Sequence, residues 1–290
     1  MKLGVVFPHH EIGTDPGAIK AYAQGAEALG ADHMLIYDHV LGADPDRPGG
    51  WTGPYDKDVA FHEPFTVFSF MAAVTETIEF ATAVLILPQR QAALVAKQVA
   101  ELAILSGNRF RLGIGTGWNE VEYEALDVPF ARRGKRQEEQ VELMRKLWAS
   151  DNLTYGGDFH TVTKASILPR PTRPVPIWFG GGAPALLKRC ALIGDGWVPL
   201  GGPGEGSANA LRQIRAHREA AGLAWDGFGI QAQAQFRGGT PERWQNHASR
   251  WVDLDCTHIA IATHNAGNRT VDDHLAAARA YFDAVGDVAA

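Results

Sequence analysis

Two glycine-rich segments that follow short β-like runs are the first candidates for ligand chemistry. Residues 109–112 have the pattern of a strand and lead into glycines at 113, 115 and 117. Residues 176–179 lead in the same way into glycines at 180–182, followed by Ala183 and Pro184. Glycine leaves main-chain N–H groups open to close approach, and a proline can begin a helix whose free N–H groups favour an anion. The pattern predicts one extended anionic ligand at the sheet edge where both strands end.

An Asp-His pair stands where the second predicted strand ends, at Asp38 and His39. A carboxylate beside an imidazole can orient the ring, and the imidazole can donate a proton near neutral pH. We take His39 as a candidate catalytic acid oriented by Asp38; the alternative is a histidine that only hydrogen-bonds nearby backbone. His9 and His10 follow the first strand, and one of them is expected in the same opening because neighbouring residues of an extended chain point to opposite sides. No spacing typical of a metal site accompanies these histidines, so no metal ligand is predicted.

Two further segments can shape a pocket. The long loop 40–61 follows the second strand and contains Trp51 and Tyr55, which either close an apolar pocket or anchor the loop. The third strand, near residues 80–88, has small side chains at 81 and 83. These side chains allow either a bulge toward a flat ring or an ordinary buried strand.

The elements that position these residues alternate between strand and helix, which is typical of a parallel sheet covered by helices. The predicted strands lie near 3–8, 32–37, 78–86, 109–114, 175–179, 195–199, 228–235 and 257–262. The predicted helices lie near 16–29, 62–75, 91–106, 130–149, 183–193, 207–221, 241–252 and 270–284. Eight such units favour an α/β fold of the TIM (β/α)8 barrel type, as one domain over residues 1–290 with insertions at 40–61 and 150–171, because closure leaves no unpaired edge. An open doubly wound sheet is the alternative.

Composition excludes several classes of function. The 290 residues are 46% hydrophobic and 21% charged, as in an ordinary globular protein. The formal charge of -6 gives no basis for binding a nucleic-acid backbone. Cys190 and Cys256 have no metal-site spacing and are expected as buried thiols in a reducing compartment. With no segment long enough to span a membrane and no signal peptide, a cytoplasmic protein acting on a small molecule is predicted.

The first glycine segment does not match the dinucleotide-binding fingerprint. GxGxxG requires glycine at its sixth position, where this chain has Trp118. The fingerprint also belongs to an early βαβ unit, whereas residues 113–117 lie in mid-chain. A Rossmann fold is therefore disfavoured.

An ordered series of motifs resembles the bacterial luciferase-like superfamily, and within it the branch of coenzyme F420-dependent oxidoreductases. The matching motifs are Asp38-His39 and residues 85–88, 96–98, 105–110, 112–120, 129–134, 168–171, 176–181 and 194–197. The resemblance covers residues 1 to about 200 and, because the motifs keep their order, is specific for the superfamily.

The resemblance implies a barrel that holds a flavin or 5-deazaflavin at the carboxyl ends of its strands, with a non-proline cis peptide near Ala83-Val84 behind the ring. It implies that the loops after strands four and five hold the ribityl-phosphate arm, and that His39, oriented by Asp38, donates a proton or polarises the substrate close to the ring. The cofactor-binding residues implied in this way are Asp38, His39, Ala83, Val84, Gly115, Thr116, Gly117, Asn119, Gly180, Gly181 and Gly182.

The substrate expectation follows from one departure. Members of the superfamily that oxidise a sugar phosphate carry a glutamate where this chain has Trp118, so an apolar or planar substrate is favoured. The residues expected to contact it are His9, Trp51, Tyr55 and Trp118. The leading hypothesis is F420-dependent hydride transfer to or from a small organic molecule, in a homodimer as the resemblance implies. The alternatives are an FMN-dependent monooxygenase that uses reduced flavin and O2, and a barrel that sequesters a ligand without a cofactor.

Overall fold

A computed structural model describes residues 1–289 of the chain. Its strands are β1 (Lys2–Val6), β2 (His33–Ile36), β3 (Glu79–Thr82), β4 (Leu85–Ile86), β5 (Phe110–Gly115), β6 (Leu153–Gly156), β7 (Thr161–Ala165), β8 (Ile177–Gly180), β9 (Gly196–Val198), β10 (Gly229–Gln235) and β11 (His258–Ala262). Its α-helices are α1 (Pro16–Ala28), α2 (Pro64–Ala72), α3 (Ala92–Leu105), α4 (Glu120–Ala125), α5 (Arg133–Ala149), α6 (Pro184–Ile193), α7 (Glu205–Ala220), α8 (Pro241–Val252) and α9 (Val271–Ala289).

Parallel pairing closes the sheet into a barrel. The order around it is β1, β2, β3, β5, β8, β9, β10 and β11, and β1 pairs with β11 to complete the circle. β4 continues β3 after a two-residue interruption and pairs with β5. The predicted (β/α)8 barrel is thereby confirmed, with all eight predicted strands and all eight predicted helices present near their expected positions.

Local sequence explains where several helices begin. Four helices start with a proline, which has the helical φ already and lacks an N–H that would be unpaired there: α1, α2, α6 and α8. Asp15 caps α1 by accepting hydrogen bonds from the N–H groups of Gly17 and Ala18, and Thr240 caps α8 at Arg243. Among the described residues, no helix is both long and apolar enough to cross a membrane.

Two layers of buried apolar side chains stabilise the barrel. Between the strands and the outer helices, Phe68 of α2 packs against Phe80 of β3 with ring centroids 5.0 Å apart. Inside the barrel, a separate small cluster of Val6, Leu35 and three alanines comes from the neighbouring strands β11, β1, β2 and β3. Side chains fill the barrel, so a ligand can enter only at its ends.

The two insertions differ in structure. Residues 40–61 are irregular and carry a single β-bridge, between Ala43 and Asp56. The segment 150–171 contains the antiparallel hairpin of β6 and β7. Glu139 of α5 fixes this hairpin by accepting hydrogen bonds from the N–H groups of Asp158 and Phe159, at 2.7 and 3.0 Å.

Candidate active site

The carboxyl ends of the barrel strands surround a cavity of about 950 Å³. Residues at or directly after the carboxyl ends of β2, β3, β5, β8, β9, β10 and β11, together with Ile86 of β4, form its wall. In barrels of this kind the loops at this end carry the chemistry. The predicted site residues that line the cavity are Asp38, His39, Tyr55, Ala83, Val84, Gly115, Thr116, Gly117, Trp118, Gly180, Gly181 and Gly182.

A smaller cavity of about 430 Å³ lies at the amino ends of the strands. Two of its arginines, Arg109 and Arg111, are engaged in contacts within the barrel. The Arg109 guanidinium donates to the main-chain oxygen of Ile78 at 2.7 Å, and Arg111 donates to Gln231 at 2.8 Å while lying 4.1 Å over the Trp178 ring. These contacts stabilise the bottom of the barrel, so we place the chemistry at the other end.

His39 is held by a residue that local sequence does not reveal. Its Nδ1 lies 3.2 Å from Oε1 of Glu122, a side chain of α4 that is 1% exposed. The same oxygen accepts a hydrogen bond from the N–H of Val40 at 2.6 Å. A carboxylate can only accept, so Nδ1 carries the proton and Nε2 is the ring nitrogen left for a ligand. The sequence shows several glutamates after the first glycine segment, but no local feature indicates which of them contacts His39.

The prediction that Asp38 orients His39 is wrong. Asp38 accepts hydrogen bonds from Arg90 at 2.7 Å and from the N–H of Ile86 at 2.9 Å. Burial raises the pKa of the Asp38 carboxyl, and the Arg90 charge acts in the opposite direction. Successive residues leaving a strand point to opposite sides, so Asp38 and His39 acquire different partners.

Aromatic rings surround His39 on the side of loop 40–61. Tyr55, Phe61 and Trp118 have ring centroids within 5.1, 4.7 and 5.6 Å of the imidazole. Trp118 is 45% exposed and faces the cavity. Trp51 stacks on Trp118 at 5.7 Å and donates to the main-chain oxygen of Tyr55, so it anchors the loop and does not line the cavity.

His9 lies beneath the cavity wall and does not line it. Its Nδ1 contacts the main-chain oxygen of Phe7 at 3.1 Å, and its ring packs against Phe61 at 4.5 Å. Burial lowers the pKa of His9 to about 2, so the ring is neutral. The expected substrate contact is therefore wrong for this residue, and it is His264, after β11, that lines the cavity. Although these histidines are close, no group of three metal-ligating side chains in residues 1–289 is arranged to hold a metal ion.

Val84 forms the floor of the cavity between the two glycine segments. The peptide bond before it, Ala83-Val84, is cis, as the resemblance implied. A Cβ at Gly115 would lie 2.5 Å from one Val84 methyl group, and a Cβ at Gly180 would lie 2.6 Å from the other. These glycines are needed first for the close packing of Val84, and a ligand can then lie against its exposed face.

Main-chain N–H groups remain open on the glycine side of the cavity. Among residues 1–289, the N–H groups of Thr116, Gly117, Gly182 and Ala183 donate no main-chain hydrogen bond. Gly182 and Ala183 directly precede α6, where the helix dipole adds positive potential. The Asn119 prediction is wrong for the side chain, because its amide oxygen caps α4 by accepting from the Val121 N–H at 3.1 Å and does not line the cavity.

Comparison with known proteins identifies the family of this chain. Residues 1–287 match the family described as luciferase-like monooxygenase. The chain belongs to this family.

Individual relatives extend the comparison. An uncharacterized protein of Mycobacterium tuberculosis H37Rv is 38% identical over 240 residues, which cover 77% of this chain and 82% of that protein. The F420-dependent glucose-6-phosphate dehydrogenase of the same strain is 31% identical over 253 residues, covering 83% of this chain and 71% of the relative. An F420-dependent secondary alcohol dehydrogenase, solved with an F420-acetone adduct, superposes with a TM-score of 0.79 at 16% identity, covering 100% of this chain and 99% of the other. At that identity the superposition establishes the fold alone.

Proposed function

We propose that this protein is a coenzyme F420-dependent oxidoreductase that transfers a hydride between the deazaflavin and a small organic substrate. The observation that carries the proposal is one cavity that combines an apolar floor at Val84, open N–H groups at Gly182 and Ala183, and an imidazole fixed at His39. The similarity to an F420-dependent dehydrogenase over most of the chain supports the same cofactor.

The residues of the cavity fit an F420-type cofactor. Val84 offers a surface on which a tricyclic ring can lie, and the N–H groups at the start of α6 suit a phosphate. The cavity of about 950 Å³ is at the upper end of the range for cofactor sites and leaves room for a substrate. When bound, F420 supplies the hydride chemistry, and the protein supplies orientation and a proton.

His39 has the proton-transfer role in this proposal. Glu122 accepts a hydrogen bond from Nδ1 of His39, which leaves Nε2 as the ring nitrogen for a ligand. Nε2 can then accept a proton from the substrate oxygen or donate one to it. Trp118 and Tyr55 form an aromatic wall beside it, which favours a planar or apolar substrate. Glu122 is a positioning residue, since it acts through His39.

The test of the cofactor is a titration of the purified protein with F420 and, separately, with FMN. The fluorescence of Trp118 and its neighbours reports binding, and F420 is expected to bind with the lower Kd. Tight binding of FMN alone would reject the proposal in favour of the flavin-dependent monooxygenase that the family name describes. Binding of neither compound would favour a barrel that sequesters another ligand.

The test of the proton role uses His39→Ala and Glu122→Gln, with His217→Ala on α7 as the control. A screen of small aromatic alcohols and ketones with oxidised and reduced F420 supplies the substrate. We expect His39→Ala to lower kcat about a hundredfold or more while leaving the Kd for F420 unchanged. Glu122→Gln keeps an accepting oxygen and loses the charge, so a smaller decrease is expected. An unchanged kcat in His39→Ala would remove this residue from the mechanism.

We further propose that the protein acts as a homodimer in the cytoplasm. Leu94 and Leu105 on α3 and the neighbouring Leu168 are 52%, 62% and 68% exposed, and such apolar surface suits burial against a second copy. Cys190 and Cys256 are free thiols, which suits a reducing compartment. Light scattering of the purified protein tests the dimer, and a monomer at micromolar concentration would contradict it.

A further inference from the structure

The rim of the cavity that follows β10 carries two arginines, Arg237 and Arg243. Both are exposed and both line the cavity. Within residues 1–289, Asp38 is the only carboxylate of the cavity wall, and Arg90 pairs with it at 2.7 Å. The mouth therefore has a positive character in a chain with a formal charge of -6. Such a concave surface concentrates anions.

Within residues 1–289, these two guanidinium groups form no ion pairs. In the described part of the chain, neither lies within 4.0 Å of a carboxylate oxygen. The carboxylate next to Arg243 in sequence, Glu242, accepts hydrogen bonds from its own main chain and from Thr240. The arginines therefore keep most of their donors for a ligand.

The backbone that presents the arginines is fixed by packing. The N–H of Phe236 donates to Ala262 at 2.9 Å, and the Phe236 ring stacks on Trp244 at 4.9 Å. Arg243 uses one nitrogen to donate to the main-chain oxygen of Gly238 at 2.9 Å. Arg237 therefore stands on a packed turn, and Arg243 is tied to the same turn by one of its five donors.

An open path joins this rim to the second glycine segment. β8 pairs with β9, and β9 pairs with β10, so the residues after these strands follow one another around the mouth. Between Gly182 and Arg237 the wall consists partly of Gly201 and Gly202, where a Cβ would meet nothing within 4 Å. Because these two glycines have no side chains and the space beside them is open, a chain-like ligand can pass over them from the start of α6 to the arginines.

We propose that Arg237 and Arg243 bind the carboxylates of a ligand tail that continues beyond the phosphate held at Gly182. The inference rests on the proposed function and deepens it. F420 carries carboxylates beyond its ribityl phosphate, whereas FMN ends at the phosphate. The arginine rim then selects F420 over FMN, because a guanidinium forms charge-assisted, two-pronged hydrogen bonds with a carboxylate.

The experiment measures dissociation constants for the variants Arg237→Gln, Arg243→Gln and the double variant. Arg250→Gln is the control for the loss of a positive charge, because Arg250 lies on α8, as Arg243 does, but outside the cavity wall. The probes are F420, the ring-ribityl fragment of F420 without phosphate or tail, and FMN. We expect the double variant to raise the Kd for F420 about tenfold or more, to leave the Kd for the fragment unchanged, and to weaken the salt dependence of F420 binding.

The outcomes separate this inference from the proposed function. If the wild-type protein binds F420 and the double variant binds it equally well, the inference is wrong and the proposed function stands. An equal loss for F420 and for the fragment would also overturn the inference, since it would indicate general damage to the cavity. A higher KM for an anionic substrate with an unchanged Kd for F420 would assign the arginines to the substrate and reject the tail. Binding of FMN and not of F420 by the wild type would reject both proposals.

Discussion

The two glycine segments have the same sequence character, but their individual glycines have different physical roles. In the first, a Cβ at Gly113 would overlap the main-chain oxygen of Thr82, and one at Gly117 would lie 2.6 Å from an Ile86 methyl group. In the second, Gly180 and Gly181 are restricted in the same way, by Val84 and Leu186. Gly182 differs from all of them, because a Cβ there would meet nothing within 4 Å.

This difference shows that glycine content alone does not locate a phosphate site. In the first segment, the glycines allow β3 and β4 to pack closely against β5. The Thr82 hydroxyl also donates a 2.6 Å hydrogen bond to the main-chain oxygen of Gly113. Gly181 has a φ of +131° and donates its N–H to Val198, so it too serves the fold. The proposed anion-binding role is therefore assigned to Gly182 and Ala183, which keep open N–H groups at the start of a helix.

The largest effect is expected for Gly113→Ala. The added methyl group must displace the Thr82 main chain, so we expect the free energy of unfolding to fall by about 3 kcal/mol. Urea denaturation of the variant and the wild type measures this change. A loss below about 1 kcal/mol would show that β3 and β5 can separate at low cost, and the contrast between the segments would be weakened.

A second, smaller effect separates binding from folding at Gly182. A Cβ at this position meets nothing within 4 Å, and the charge of an aspartate would repel a phosphate. Gly182→Asp should therefore raise the Kd for F420 about tenfold with little change in the free energy of unfolding. Gly182→Asn is the matched neutral control and should bind better than the aspartate variant. Equal affinities of the two variants and the wild type would place the phosphate elsewhere.

The smallest effect is expected for a glycine outside both segments. Gly286 lies in α9, where a Cβ would meet nothing within 4 Å. Gly286→Ala should raise the free energy of unfolding by about 0.5 kcal/mol through helix propensity and leave F420 binding unchanged. Thermal and urea denaturation check this; a destabilisation comparable to that of Gly113→Ala would mean that open space around a glycine is no guide to its role.

The sequence predicts the barrel well because its signals are local. Apolar runs mark each strand, and prolines at Pro16, Pro184 and Pro241 mark helix starts that the structure confirms. The hairpin of β6 and β7 and the short helix α4 were not predicted, since both lie in polar segments with weak periodicity. Their positions depend on tertiary contacts such as those of Glu139 with the hairpin.

The sequence predicts several residues that stand at the candidate site but not the hydrogen-bond partners of their side chains. Asp38 and His39 do stand at the cavity, but the carboxylate that holds His39 is 83 residues away in sequence. No local spacing can indicate such a pair. The resemblance implies Asn119 as a cofactor-binding residue because it stands within the glycine motif, whereas its position before α4 makes it a helix cap.

The most direct test of the account is a crystal structure of the protein with F420. We predict that phosphate oxygens lie within hydrogen-bond distance of the Gly182 and Ala183 N–H groups, with the ring against Val84 and its reactive edge beside Nε2 of His39. Electron density for F420 outside this cavity, or with its phosphate away from the start of α6, would contradict the account.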